Sequence, residues 1–163
     1  MAIKTLGYFT NNEFVQSTTD KFYPVYNPST GEQIAQMPRC TTAEVAKVID
    51  NAHEAYKKWS RVPVIKRVQI LYKVRELLIE HMDELTELCA TEHGKNLDES
   101  KGDILKAKEG TELACSMPSL LQCERLMAAS SGYATVLYRT PLGVFAGVFP
   151  FNFPSMISKG GWT

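Results

Sequence analysis

Asn152 stands between Pro150 and Pro154 at the end of the run VFAGVFPFNFP, residues 144–154. A side-chain amide held at a rigid turn can donate a hydrogen bond to a carbonyl oxygen as negative charge develops on it. Pro154 suits the first position of a helix. The apolar run Val144–Phe149 suits a strand buried on both faces, as in a parallel sheet. Asn152 is therefore expected at a strand-to-helix turn, its NH2 beside the positive end of the helix. That turn lies at the carboxyl end of a strand, where α/β sheets place their ligands. Asparagine is also a good helix cap. Spacing alone leaves both roles open, oxyanion donor and cap.

Other residues capable of chemistry have plainer readings. His53, His81 and His93 lie on separate helical stretches near acidic residues and show no metal-ligand spacing, so solvated faces account for them and no metal is expected. The segment TEHGKNLDES, residues 91–100, gathers charge at a helix–helix corner and reads as solvated or salt-bridged. Cys40, Cys89, Cys115 and Cys123 contain no C-x-x-C pair and read as reduced thiols of a cytoplasmic chain. Cys89 and Cys115 fall on inner helix faces, where a thiol is a small hydrophobe. Neither G-x-G-x-x-G nor a Walker-type loop occurs, so no phosphate cradle is read within these residues.

The elements that must hold Asn152 can be read backwards from it. Residues 130–139 alternate, with Tyr133, Thr135, Leu137 and Arg139 on one face and Ala134, Val136 and Tyr138 on the other, a strand able to pair with another chain. Before it come four helical stretches. Thr41 and Glu44 have the spacing of a capping box. Val45, Val48, Ile49, Ala52, Tyr56 and Trp59 then follow the 3.6-residue period, predicting a buried face. Pro63 suits a first helical position, followed by the stripe Val64, Val68, Leu71, Val74 and Leu78. A third helix over MDELTELCATEHG turns Leu85, Leu88 and Cys89 inward and is capped by Gly94. The fourth starts at LDES, carries two glycines and is expected to end at Pro118. The opening forty residues read as a small antiparallel β element. LGYFTNNEFVQS is a hairpin turning at Asn11-Asn12, and NPSTG turns between two further strands.

At 163 residues, 44% apolar and 22% charged, the chain has the make-up of roughly one globular domain. Lys plus Arg and Asp plus Glu balance at 18 each, so no strong field draws it to nucleic acid or an anionic membrane. No signal-peptide pattern and no membrane-length apolar run is present.

The segment YRTPLGVFAGVFPFNFPSMI, residues 138–157, resembles the aldehyde dehydrogenase superfamily, in which P-[FW]-N-F-P follows a P-L-G-V strand. The resemblance extends over about residues 8–157. It includes VYNPSTGEQIAQMP, the helical pair AYKKWSRVPVIKRVQILYKVRELL, and TEHGKNLDESKGDILKAKEGTELAC with its E-x-G-K segment. Gly102-Asp103, ELACSMPSLL and the dipeptide ahead of Asn152 are similar to the methylmalonate-semialdehyde dehydrogenase branch, which forms acyl-CoA.

What the resemblance implies is an α/β chain forming the amino-terminal part of that fold. Residues 1–129 would hold the β-hairpin and helices, 130–142 an oligomerisation strand, and 143–157 the first strand and turn of a Rossmann-like sheet. Residues 158–163, SKGGWT, depart from the family pattern and read as a tail. Asn152 matches the oxyanion donor. Phe149, Pro150 and Phe151 match positions whose backbone borders the nicotinamide half of NAD. The implied reaction is oxidation of a semialdehyde of the malonate or methylmalonate type through a cysteine thioester, with coenzyme A or water as acceptor. Identical or full-length subunits would pair through residues 133–140. The family's nucleophilic cysteine, general base, ribose-binding residues and glycine-rich turn all lie beyond the matched segment. The 163 residues are therefore expected to be a truncated, inactive piece when isolated. Two other readings stay open: a non-catalytic module that pairs with full-length subunits, and part of a non-acylating dehydrogenase. A free-standing ligand-binding helical domain is the weakest.

Overall fold

The computed structural model describes residues 3–162, so Met1, Ala2 and Thr163, the last residue of the expected tail, lie outside the described residues. Five short strands open the chain: β1 (Lys4–Thr5), β2 (Tyr8–Thr10), β3 (Glu13–Val15), β4 (Phe22–Tyr26) and β5 (Gln33–Pro38). β2 and β3 form the expected antiparallel hairpin. Asn11 and Asn12 take φ of 49° and 64°, the two positive values that a tight two-residue loop requires and that asparagine tolerates. Across the hairpin the rings of Phe9 and Phe14 meet edge-on at 5.0 Å.

β4 and β5 pair antiparallel around the expected NPSTG turn. The Asn27 Oδ1 accepts the Ser29 N–H at 2.9 Å, and Gly31 closes the turn at φ 74°. Pro24 is tolerated because β4 is an edge strand. β1 adds to the other side of β5 in parallel, a pairing too short for periodicity to signal.

Both halves of the capping box are made at α1 (Thr42–Trp59). Glu44 also accepts the Thr18 N–H at 2.8 Å and the Ser17 hydroxyl, which ties the β segment to the helix. The Thr18 amide first, then that of Thr41, holds the Glu44 carboxyl down at about 2, from an ordinary 4.5. A depressed folded-state value contributes stability that is fully present above 4.5 and lost as pH falls toward 2. Glu44→Gln should therefore lie below the parent in stability at neutral pH and converge with it on acidification. Urea titrations at a series of pH values check this, and parallel curves down to pH 2 would refute it.

The apolar stripe of α1 is correct in period but not in burial. No residue of α1 is fully buried, and Ile49 keeps 54% of its surface. Periodicity reports an amphipathic face, not the presence of its partner within the same residues.

α2 (Val64–Glu80) begins one residue after Pro63, which stands at the cap rather than inside the first turn. Its stripe faces inward as expected, with Val68 and Leu78 buried and Val64, Leu71 and Val74 half-buried. α3 (Met82–His93) buries Thr86 and Cys89, but Leu88 is 55% exposed and not inward. The Thr86 hydroxyl settles its own burial by donating to the Met82 carbonyl at 2.7 Å. Gly94 caps α3 at φ 81°, and a Cβ there would meet the Pro28 ring at 2.7 Å, so the NPSTG turn sits directly on this corner.

α4 (Leu97–Ala114) starts at Asn96, whose Oδ1 takes the Glu99 N–H at 2.8 Å. It is the central helix. Ser100, Asp103, Ile104, Ala107, Thr111 and Ala114 are buried along one face, and small side chains there let α2 and α3 approach. Arg75 reaches across to Glu112 at 2.8 Å. Pro118 does not end α4, which stops at Ala114. It lies instead in the first turn of the short α5 (Met117–Leu120), where a missing N–H costs nothing.

β6 (Arg125–Ser130) and β7 (Tyr133–Val136) form a second hairpin, every residue of it exposed. β6 carries no clear alternation because a bulge with Ala128 at φ 53° breaks its register. After β7, residues 138–152 make no backbone–backbone hydrogen bond among the described residues. The apolar run Val144–Phe149 is thus present without a ladder. The last element, α6 (Pro154–Trp162), packs against α4. It runs on through Ser158–Gly161, into the segment that departs from the family pattern. All four cysteines are free, and no described helix is long and apolar enough to cross a membrane.

Candidate functional site

Two helices and a corner define the surroundings of Asn152. Pro154 opens α6 as expected, and the first intrahelical bond runs from the Ile157 N–H to the Phe153 carbonyl at 3.1 Å. This makes Phe153 the cap residue, with no side-chain acceptor of its own. The helix is capped from elsewhere. Asp103, on α4 and 0% exposed, accepts the Ser155 N–H through Oδ2 and the Met156 N–H through Oδ1, both at 3.0 Å. Its position in the sequence drew notice only as part of the Gly102-Asp103 pair, with no role attached.

Asn152 itself is exposed, and its side chain makes no hydrogen bond among the described residues. The cap alternative is therefore excluded in this structure. At the helix end beside it, the Asp103 carboxylate occupies the first two amides. What Asn152 offers is its own amide.

The Asn152 carbonyl accepts from Lys95 Nζ at 2.6 Å. The same ammonium lies 4.1 Å from the centroid of the Phe153 ring. Lys95 directly follows the left-handed Gly94, so the α3–α4 corner grips the turn from the side. This corrects the solvated reading of TEHGKNLDES at Lys95, while Asp98 and Glu99 are exposed as expected and lie in the first turn of α4. His53 and His81 are exposed, and His81 pairs with Glu84 at 2.9 Å. His93 departs from the expectation. Both its ring nitrogens are buried with no hydrogen-bond partner among the described residues, at the edge of a cleft of about 480 Å³ bordered by Tyr26, Cys89, Phe151 and Pro154. No cluster able to hold a metal ion occurs among the described residues.

Phe149, Pro150 and Phe151 lead into the turn. The Phe149 ring packs against Gly161 of α6, so a Cβ there would require the ring to move. Phe151 is 83% exposed. The backbone N–H and C=O groups of Phe149 and Phe151 make no hydrogen bond among the described residues. Burial pushes the Cys89 and Cys115 thiols up, and the Cys89 Sγ stands 3.9 Å from the Asp103 carboxylate. Neither is an activated nucleophile. The assembled chemistry is one free amide donor, rigidly backed, beside unpaired backbone.

The sequence profile of the "Aldehyde dehydrogenase family" matches residues 14–162. The chain is 42% identical over 155 residues to malonate-semialdehyde dehydrogenase 2 of Oceanobacillus iheyensis, covering 95% of this chain and 32% of that protein. To the malonate-semialdehyde dehydrogenase of Lacticaseibacillus casei it is 39% identical, over the same shares. Among solved structures it superposes with a TM-score of 0.91 and 33% identity on the methylmalonate-semialdehyde dehydrogenase of Oceanimonas doudoroffii. The values are the same for a Sinorhizobium meliloti protein assigned to that activity and solved with NAD. In both, 96% of this chain covers 32% of the other, so the chain spans about a third of the length of the relatives it matches.

Proposed function

The chain belongs to the aldehyde dehydrogenase family, and from that premise we propose that it supplies the oxyanion-donating turn and one wall of the nicotinamide site to an NAD-dependent oxidation of a semialdehyde. The observation that carries this reading is the free Asn152 amide, exposed at the start of α6 while Asp103 does the capping. The names of the relatives favour malonate or methylmalonate semialdehyde as the substrate, and the resemblance of Gly102-Asp103 and ELACSMPSLL to the acylating branch favours an acyl-CoA as the product.

In the proposed reaction Asn152 Nδ2 donates to the substrate oxygen as it becomes an oxyanion. Lys95 and Asp103 keep that donor from swinging away by holding the backbone on either side of it. The unpaired backbone of Phe149 and Phe151 fits the edge of a nicotinamide, with Pro150 fixing the direction of the chain between them. A nicotinamide cofactor bound against Phe149–Phe151 would supply the hydride acceptor. Cys89 and Cys115 are not the nucleophile of this reaction, because burial pushes both thiols up.

These 163 residues contain the donor without an activated nucleophile. Isolated, they should form no NADH from malonate semialdehyde or any small aldehyde. They should bind NAD no tighter than millimolar, about −4 kcal/mol. Spectrophotometry and calorimetry measure the two. Aldehyde-dependent NADH formation that disappears in Asn152→Ala, or micromolar NAD binding, would overturn the reading.

A second reading is favoured by the fully exposed β6–β7 hairpin: a module that pairs with other subunits through residues 133–140 without catalysing anything itself. Gel filtration with and without a full-length homologue separates the two, since only this module co-elutes while leaving the homologue's turnover unchanged.

A further inference from the structure

We propose that Asp103 is a positioning residue that keeps Asn152 available as a donor by taking over the helix cap that Asn152 would otherwise make. The inference rests on the reading of Asn152 as the oxyanion donor.

The geometry leaves α6 with two orphan amides. Pro154, at the first helical position, has no N–H, and the next two amides belong to Ser155 and Met156. A cap side chain ordinarily accepts from one of these two. Phe153 cannot, and the nearest acceptor along the chain is the Asn152 side-chain oxygen. An Asn152 side chain turned onto the helix would have its NH2 group turned with it. Asp103 removes the need, with one carboxylate oxygen on each amide at 3.0 Å from a helix some fifty residues earlier. It is placed to do so because it lies on the buried face of α4, between Ser100 and Ala107, where α6 packs. A buried carboxylate without partners is costly, and the two amides are the partners that make it tenable. Cap and donor are thereby divided between two residues, which a single asparagine cannot serve at once.

Amide hydrogen exchange at Ser155 and Met156 of the whole chain tests the division. Asn152→Ala should leave both amides within about twofold of the parent, because Asn152 does not cap. Asp103→Ala should speed their exchange about tenfold or more. In that background Asn152→Ala should speed it at least threefold further, because the asparagine has become the cap. A purely structural role for Asp103 predicts no such dependence on residue 152. The proposal is overturned if Asn152→Ala alone loosens the two amides as much as Asp103→Ala does. It is equally overturned if Asp103→Ala leaves them unchanged, or if the second substitution adds nothing. Should Asp103→Ala also lose the protection of α2, Asp103→Asn, equal in size with one acceptor, is read in its place against the same outcomes. The measurement uses no aldehyde chemistry, so a failed activity assay leaves it standing.

Discussion

Ile104→Ala should cost the chain about 3 kcal/mol, within the roughly 2–5 kcal/mol range for emptying a packed aliphatic site. Ile104 is 1% exposed at the middle of α4, where α2 and α3 converge. Its neighbours on that face, Ala107, Ser100 and Asp103, are small or fixed by hydrogen bonds, so they cannot collapse into the space left. The core around it is thin. Only seven apolar residues are fully buried among the described residues, and two of the three on α4 are alanines. Against the roughly 5–15 kcal/mol of net stability usual for a domain, such a loss removes much of what holds these helices together. Urea unfolding followed by circular dichroism should show a lower midpoint with an unchanged slope. Leu105→Ala, on the 39% exposed side of the same helix, should change stability by no more than about 1 kcal/mol. Equal effects at the two positions would show that α4 is not the centre of the core.

Hydrogen exchange should divide the chain as sharply. The amides of Val68–Leu78 sit in helical ladders of α2 against α4, and their exchange should be slowed on the order of a thousandfold. Those of Val144–Phe149 have no ladder partner, and Phe145 and Val148 are 76% and 100% exposed. They should exchange near the rate of an unstructured peptide in dilute solution. The run is apolar, free of charge and open at both edges, so raising the concentration should bring protection only together with self-association. Strong protection of Val144–Phe149 in a monomer would mean that the strand has found partners within these residues. That result would defeat the view that it belongs to a sheet completed elsewhere.

Features that depend on a few adjacent residues were legible. The Asn11-Asn12 turn, the Thr41–Glu44 box and the Gly94 cap each follow from one or two backbone angles and a side chain within reach. What the sequence could not show is who faces whom. The period of α1 predicted a stripe but not that Ile49 would lie open. Leu88 and Thr86 are two positions apart on α3, and the leucine was the better guess for the core. The threonine went inside because its hydroxyl is satisfied by its own helix. At the candidate site the gap is widest. Lys95 and Asp103 act on Asn152 and α6 from 57 and 52 residues away, and no local pattern links them. The extension of α6 beyond Ile157 was hidden in SKGGWT, which follows no family pattern, and there Gly161 lies against the Phe149 ring.

The stacking of turns at the α3–α4 corner bears on the order of assembly. The Pro28 turn lies under Gly94, and Lys95, the next residue, reaches up to Asn152. A ribosome makes these three layers in that sequence, and domains fold from the N-terminus as they emerge. The corner closes on a turn that already exists, and the Asn152 turn then follows onto that platform. Lys95 and Asp103, the side chains that hold this turn and the helix after it, are therefore in place before Asn152 is synthesised.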